Sequence, residues 1–278
     1  MPNTILFDAN SLYARSWFAA ARISSDPKEA LRLAINTISL LLNPDTNKIG
    51  CLFDQSLFAW DSQQNKAKHR EEKPPEYHET KLVLKDILEF MLATVHYEHP
   101  DMEGDDIVAT AVYQTDPKDT VYVVSGDKDL MQLQGGNCQY YSLNDKALLS
   151  PAYINAKFQH IHRPNQIALV LAIIGDPVDN IGGITGFGPV RCKKLFEAVT
   201  PEMSLDKAAN AISAQLGEVQ RAEFWAALDR TLLRTDVPRV PRPAPLKLRA
   251  PAEVESLGIP QIGYYYRQVY HTYTTEPD

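Results

Sequence analysis

Over the first half of this chain, short apolar runs rich in β-branched residues alternate with longer segments whose apolar positions recur at helical spacing. The runs at 4–8 (TILFD), 49–54 (IGCLFD) and Val121 to Val124 are too short for helices and read as buried strands of a parallel sheet. Between the first two, residues 29–43 (EALRLAINTISLLLN) have the length and period of a crossover helix ending at Asn43-Pro44, which makes a βαβ unit. A shorter helical piece, ANSLYARSWFAAARI, follows Asp8 directly, and Lys81 to Leu92 forms another helix. Ile107, Val108, Ala111 and Val112 supply the apolar stripe of a helix opened by Glu103, Asp105 and Asp106. Further on, Tyr140-Tyr141-Ser142 reads as a weak strand, Asn165 to Ile174 as a buried helix, and 204–235 as helical. The alternation predicts an α/β fold with a central, mainly parallel sheet flanked by helices.

The strands share a second property, which is that each stops at an acid. Asp8 and Asp54 end two of them, and the third runs into Ser125-Gly126-Asp127-Lys128-Asp129. An aspartate after a strand is ordinarily a turn residue, and acids in a first helical turn ordinarily favour the macrodipole. Three strands ending in aspartate at one edge of a parallel sheet would instead bring the carboxylates together, where open α/β sheets place ligands. Asp176 and Asp179 form a further pair in GDPVDNIGGITGFGP, the run from Gly175 to Pro189. The glycines of that run predict a tight turn before a helix that begins near Pro189 and carries Arg191, Lys193 and Lys194. Exposed N–H groups at a helix start make an anion site, here for a DNA backbone phosphate, and no GK[ST] follows to make it a Walker A loop.

Composition changes the picture little. The 28 basic and 35 acidic residues give a net charge of −7, which by itself argues against nucleic acid. With the nine carboxylates of the candidate site set aside, the remaining surface is near balance and can carry basic patches. One such patch falls in the polar segment 58–81, where Lys66, Lys68, His69, Arg70 and Lys73 crowd together before Pro74-Pro75. It is either a solvated stretch or a basic loop or helix that holds phosphates near the acids. Cys51, Cys138 and Cys192 are odd in number and offer no zinc spacing, as expected in a reducing compartment. His96 and His99 read as part of a surface connection, without a ligand role. No segment approaches the roughly 20 apolar residues of a membrane span, and no signal-peptide pattern opens the chain.

In order along the chain, Phe7-Asp8 with Arg15, Phe53-Asp54, Glu103-Gly-Asp-Asp106, SGDKDLMQL at 125–133 and the run from Gly175 to Pro189 resemble the FEN-like 5'-nucleases. That family includes bacteriophage 5'-exonucleases and flap endonucleases and the 5'-nuclease domain of bacterial DNA polymerase I. The resemblance implies a PIN-like core over 1–160, a helical arch at about 58–81, a helix-three-turn-helix DNA-binding region within 161–235, and a Pro- and Tyr-rich tail at 236–278. It implies two Mg²⁺ ions, with Mn²⁺ able to substitute, held by Asp8, Asp54, Glu103, Asp105, Asp106 and Asp127 at one site and by Asp129, Asp176 and Asp179 at the other, with Asp127 between them. It also implies catalytic roles for Asp127, Lys66 and Arg70 and DNA contacts for Arg15, Lys68, Gly183, Gly186, Gly188, Arg191, Lys193 and Lys194, and in relatives the turn carbonyls also hold K⁺. The arch departs from the family's Tyr-Lys-x-x-Arg pattern, because Ala67 stands three before Arg70; Lys66 is favoured over Lys68 for the scissile phosphate.

The implied activity is structure-specific hydrolysis of DNA phosphodiesters near 5' ends, flaps or nicks, as 5'-3' exonuclease and flap endonuclease, in replication, primer removal or repair. The implied setting is the cytoplasm of a bacterial cell or of a phage-infected bacterial host. Two alternatives remain open at this level: an RNase H-type ribonuclease that acts on RNA-DNA hybrids and removes RNA primers, and a structure-specific DNA-binding protein without catalysis. For the tail, Tyr264, Tyr266 and Tyr270 either pack back on the body or dock a replication-protein partner.

Overall fold

In the computed structural model, residues 3–42, 45–53, 73–92, 95–97, 103–259 and 262–274 are described. Strands β1 (Asn3–Asp8), β2 (Thr46–Leu52), β3 (Val95–Tyr97), β4 (Thr120–Ser125), β5 (Cys138–Ser142), β6 (Ala147–Leu148) and β7 (Ala244–Pro245) form one sheet. The order is β3-β2-β1-β4-β5-β6, and β7 pairs with β2 off that path. Strands β3, β2, β1, β4 and β5 run parallel, whereas β6 and β7 are antiparallel additions at the two sides.

Connections through α1 (Ala9–Ala20) and α2 (Lys28–Leu41) join β1 to β2, and α3 (Pro75–Leu92) leads into β3. Helix α4 (Gly104–Gln114) then precedes β4. Helix α3 starts at Pro75, six residues before the expected Lys81, so 75–81 belong to a core-packed helix and not to the basic segment. Tyr77 explains the extension: its ring packs 4.9 Å from Tyr13 and 5.4 Å from Trp17, and its carbonyl accepts the Tyr13 hydroxyl at 2.9 Å. His96, expected in a surface connection, lies in β3 and pairs with Cys51 of β2.

The sheet divides the interior in two. Leu6, Val121, Val123 and Tyr140 face a core completed by α4 and by the later helices α5 (Pro151–Phe158), α6 (Ile167–Ile174), α7 (Pro189–Phe196), α8 (Leu205–Ser213) and α9 (Glu218–Thr231). Ile5, Phe7, Ile49 and Cys51 face the opposite core, which α1, α2 and α3 cover. All three cysteines are buried.

After 236 the chain first adds Val237 and Val240 to the first core, and the residues from Leu246 onward pack into the second. β7 pairs with Lys48 and Ile49, taking the part of the β2 edge that β3 leaves open at Gly50. Helices α10 (Pro251–Glu255) and α11 (Ile262–Thr274) follow, and Val254, Ile262 and Tyr266 are buried against α2 and α3 residues. The Tyr266 hydroxyl, 3.0 Å from the Met91 carbonyl and 2.9 Å from that of Arg249, is shared between them. Of the three tyrosines singled out in the tail, Tyr266 packs inward, Tyr270 is half-buried against the same core, and Tyr264 is exposed. Tyr266→Ala should therefore lower stability by about 3–5 kcal/mol, read as a shift in urea midpoint. A loss below about 0.5 kcal/mol, the range of ordinary surface substitutions, would mean that the tail is not part of the core.

Candidate metal centre

Strand alternation delivers the first carboxylate. Ile5 and Phe7 enter one core and Leu6 the other, so Asp8 follows Leu6 to its face. Val121 and Val123 share that face, and the pairing of Phe7 with Val124 brings Ser125 beside Asp8. The Ser125 hydroxyl donates to Asp8 Oδ2 at 2.6 Å and accepts from the Asp127 N–H at 2.9 Å. Asp8 Oδ1 accepts the Ser11 N–H at 3.0 Å and caps α1, so one oxygen caps the helix while the other accepts from Ser125.

The loop after β4 is held from several sides. Gly126 donates its N–H to Ser11 Oγ at 3.0 Å, and Asp129 donates its N–H to Asp127 Oδ1 at 2.9 Å. Beneath them the buried Tyr140 hydroxyl lies 2.6 Å from the Asp127 carbonyl and 2.9 Å from the Ser125 carbonyl. Asn144 donates to the Gly126 carbonyl at 2.8 Å and accepts from exposed Arg15 at 2.7 Å, which sets this arginine at the rim of the loop. Sequence reasoning did not identify Tyr140 or Asn144 as supports; the signal for Tyr140 is its place on β5, next to β4 in the parallel register.

Among the described residues, two groups of three carboxylates bring ligand oxygens within 4.8 Å of one another: Asp105, Asp127 and Asp129, and Asp129, Asp176 and Asp179. Asp129 is common to both, where Asp127 was expected in the shared position. Glu103 stands at the N-cap of α4 without a side-chain cap bond, and Asp105 and Asp106 occupy the first turn. Buried Asp106 turns elsewhere with one oxygen, accepting the Arg234 N–H at 2.8 Å. Asp54, Lys66, Lys68 and Arg70 lie outside the described residues.

The charges oppose one another. Desolvation first, then Asp127, Asp8, Asp129 and Glu103, push the Asp105 carboxyl well above the usual carboxylate range. Desolvation and Asp127 raise Asp129 to about 7, against the opposing pull of Lys128. The Lys128 ammonium reaches Asp176 Oδ2 at 2.5 Å and stands 3.8 Å from Asp129 Oδ1. Asp129 Oδ1 is buried and, among the described residues, accepts no hydrogen bond. An all-carboxylate donor set with such an orphaned acceptor fits a hard divalent cation and not a soft one.

The glycine run closes against this cluster. Asp176 and Ile181 exchange N–H···O bonds at 2.8 Å each, and the Ile184 N–H reaches the Ile173 carbonyl at 2.9 Å. Gly183 has a steric reason to be glycine, since at φ +65° a Cβ there would lie 2.4 Å from the Gly175 nitrogen. Exposed Gly186, also at positive φ, and Gly188, the N-cap of α7, bound the turn expected to meet phosphate. Arg191, Lys193 and Lys194 on α7 are exposed, but Arg191 donates to the Gly186 carbonyl at 3.0 Å, taking one of the turn carbonyls. Helix α9 braces the run at two places. Glu223 accepts the Thr185 N–H at 3.0 Å and hydroxyl at 2.7 Å, and Arg230 donates to the Asn180 carbonyl at 3.1 Å and the Asp179 carbonyl at 3.2 Å.

The chain is similar to several known proteins. A 5'-3' exonuclease of Mycoplasmopsis pulmonis is 24% identical over 253 residues, covering 88% of this chain and 82% of its own. DNA polymerase I of Bacillus subtilis is 26% identical over 284 residues; the match takes 95% of this chain but only 30% of the polymerase. In fold, the chain superposes on a bacteriophage T5 flap endonuclease, solved as a pseudo-enzyme-product complex with DNA and metal ions, with a TM-score of 0.61 at 16% identity, covering 98% of this chain and 100% of the other. The family model of the 5'-3' exonuclease N-terminal, resolvase-like domain matches residues 3–159, and the chain belongs to that 5'-nuclease family.

Proposed function

We propose that this protein is a Mg²⁺-dependent, structure-specific 5'-nuclease that hydrolyses DNA phosphodiesters near 5' ends, flaps and nicks in replication, primer removal or repair. The observation that carries the reading is the pair of carboxylate groups joined through Asp129 at the carboxyl edge of the sheet. A carboxylate shared by both groups would allow two cations to be held by neighbouring ligands, the arrangement used in two-metal phosphodiester hydrolysis. Divalent ions held there would lower the pKa of an attacking water and offset charge on the departing 3'-oxygen, so that products would carry 5'-phosphate and 3'-hydroxyl ends.

The chain's own residues do the rest. Asp105, Asp127, Asp129, Asp176 and Asp179 would hold the cations, with Asp8, Glu103 and Asp106 adding negative charge nearby, and Asp54 is assigned to the same site from sequence alone. Arg15, fixed by Asn144 at the loop rim, neutralises substrate phosphate. Lys66 and Arg70 are assigned to the scissile phosphate from sequence alone. Exposed Lys193 and Lys194, with the turn at Gly186 and Gly188, grip duplex phosphates away from the cut, which sets register without reading bases.

The deciding experiment is digestion of a 5'-flap and a blunt duplex, each labelled at the 5' end, with and without Mg²⁺, alongside matched RNA 5' strands. Metal-dependent release of short 5'-labelled products from DNA is expected. Binding without turnover would favour the non-catalytic alternative, and preference for RNA strands the ribonuclease. Asp127→Ala should abolish cleavage and leave DNA affinity within about tenfold, since it removes a metal ligand and not the phosphate grip. Lys193→Ala should weaken binding and lower the slope of log affinity against log salt by about 1, leaving the cut position unchanged.

Metal and protons should also compete. Raised carboxyl pKa values mean that the folded, metal-free chain holds protons the unfolded chain releases, so its stability falls as pH rises from the ordinary aspartate range through about 7. Mg²⁺ should therefore raise the melting temperature more at about pH 8 than at about pH 5, measured by calorimetry. An equal shift at both would contradict binding at Asp105 and Asp129.

A further inference from the structure

One cation already sits inside the carboxylate cluster. Lys128 lies between Asp127 and Asp129 in sequence, and its ammonium is 2.5 Å from Asp176 Oδ2 and 3.8 Å from Asp129 Oδ1. Both acids belong to the second group, with Asp179. Asp105 and Asp127, which complete the first group with Asp129, have no ion pair among the described residues. The asymmetry is specific: among the described residues the ammonium pairs with Asp176 and the shared Asp129, and no cation pairs with Asp105 or Asp127.

An ammonium at hydrogen-bonding distance from a carboxylate oxygen fills the space that a cation bound by that oxygen would occupy. Two positive charges cannot share it, since their repulsion rises steeply as the distance falls. Asp176 is buried, so the lysine partner offsets a carboxylate that solvent does not reach. The lysine is less confined, with about a third of its side chain (35%) accessible to solvent, and it can swing outward on its flexible stem.

We infer that Lys128 is a tethered competitor for the Asp129–Asp176–Asp179 position: its ammonium holds that position in the metal-free chain and leaves when a divalent ion enters. This rests on the metal-dependent reading above. It follows that the Asp105–Asp127–Asp129 position fills first, and that the second fills more weakly than ion-ion repulsion across the shared Asp129 alone would require. Occupancy of the second position is then the step most sensitive to metal concentration.

The test is Mn²⁺ binding by titration calorimetry on the full chain without DNA, which reads metal and not activity. The wild type should show two steps, and Asp179→Asn should lose the weaker one. Lys128→Met should tighten the weaker step by on the order of tenfold, a modest figure because the lysine is partly solvated, while Lys128→Arg should keep it weak. An unchanged or weaker second step in Lys128→Met overturns the inference while leaving the metal reading intact. A wild type with no Mn²⁺ step overturns both. The wild type supplies a measurement that no folding defect in a variant can obscure: the NMR signal of the Lys128 ammonium should change with the second equivalent of Mg²⁺ and not the first. A change complete at the first equivalent overturns the inference.

Discussion

Repulsion among carboxylates that the fold forces together is the constraint around which the rest is arranged. Parallel register aligns the ends of β1 and β4, and no adjustment of side chains alone could move Asp8 away from the loop that carries Asp127 and Asp129. The supports answer that repulsion in kind. Ser125, Ser11 and backbone N–H groups donate to acid oxygens or fix the loop, the Lys128 ammonium offsets Asp176, and the N-terminus of α4 directs its partial positive charge at Glu103 and Asp105. Folding without metal is in this sense a compromise, and the raised pKa values at Asp105 and Asp129 are its signature.

The braces on the glycine run extend the same frame outward. Arg230 holds the backbone of Asp179, a member of the acidic cluster, and seven residues earlier on the same helix Glu223 holds Thr185, in the turn proposed to meet duplex phosphates. One helix thus ties together the cluster and the proposed grip. A rigid link of that kind fixes the distance between where a duplex would be held and where it would be cut.

Much of this was readable from the chain itself, because strand period and helix period are local signals. TILFD, IGCLFD and the run before Ser125 each carried their own evidence of burial, and the aspartates after them pointed to one edge. The longer-range facts were not readable. Nothing near Asp106 announces that one of its oxygens binds the Arg234 N–H, 128 positions away. Nothing around Lys128 signals its contact with Asp176, which is 48 positions distant. The early start of α3 followed from the packing of Tyr77 on Tyr13 and Trp17, and so from tertiary contact overriding a proline-rich, polar stretch. Asp54, Lys66, Lys68 and Arg70 remain assignments of the sequence.

The late strand β7 has a consequence for how the chain is made. Its partner β2 is synthesised some two hundred residues earlier, and Lys48 and Ile49 have no antiparallel neighbour there until Ala244 and Pro245 emerge. During translation the sheet therefore carries an open flank able to recruit a strand from another nascent chain. A ribosome stalled before that point would leave a nearly complete nuclease core with an adhesive side.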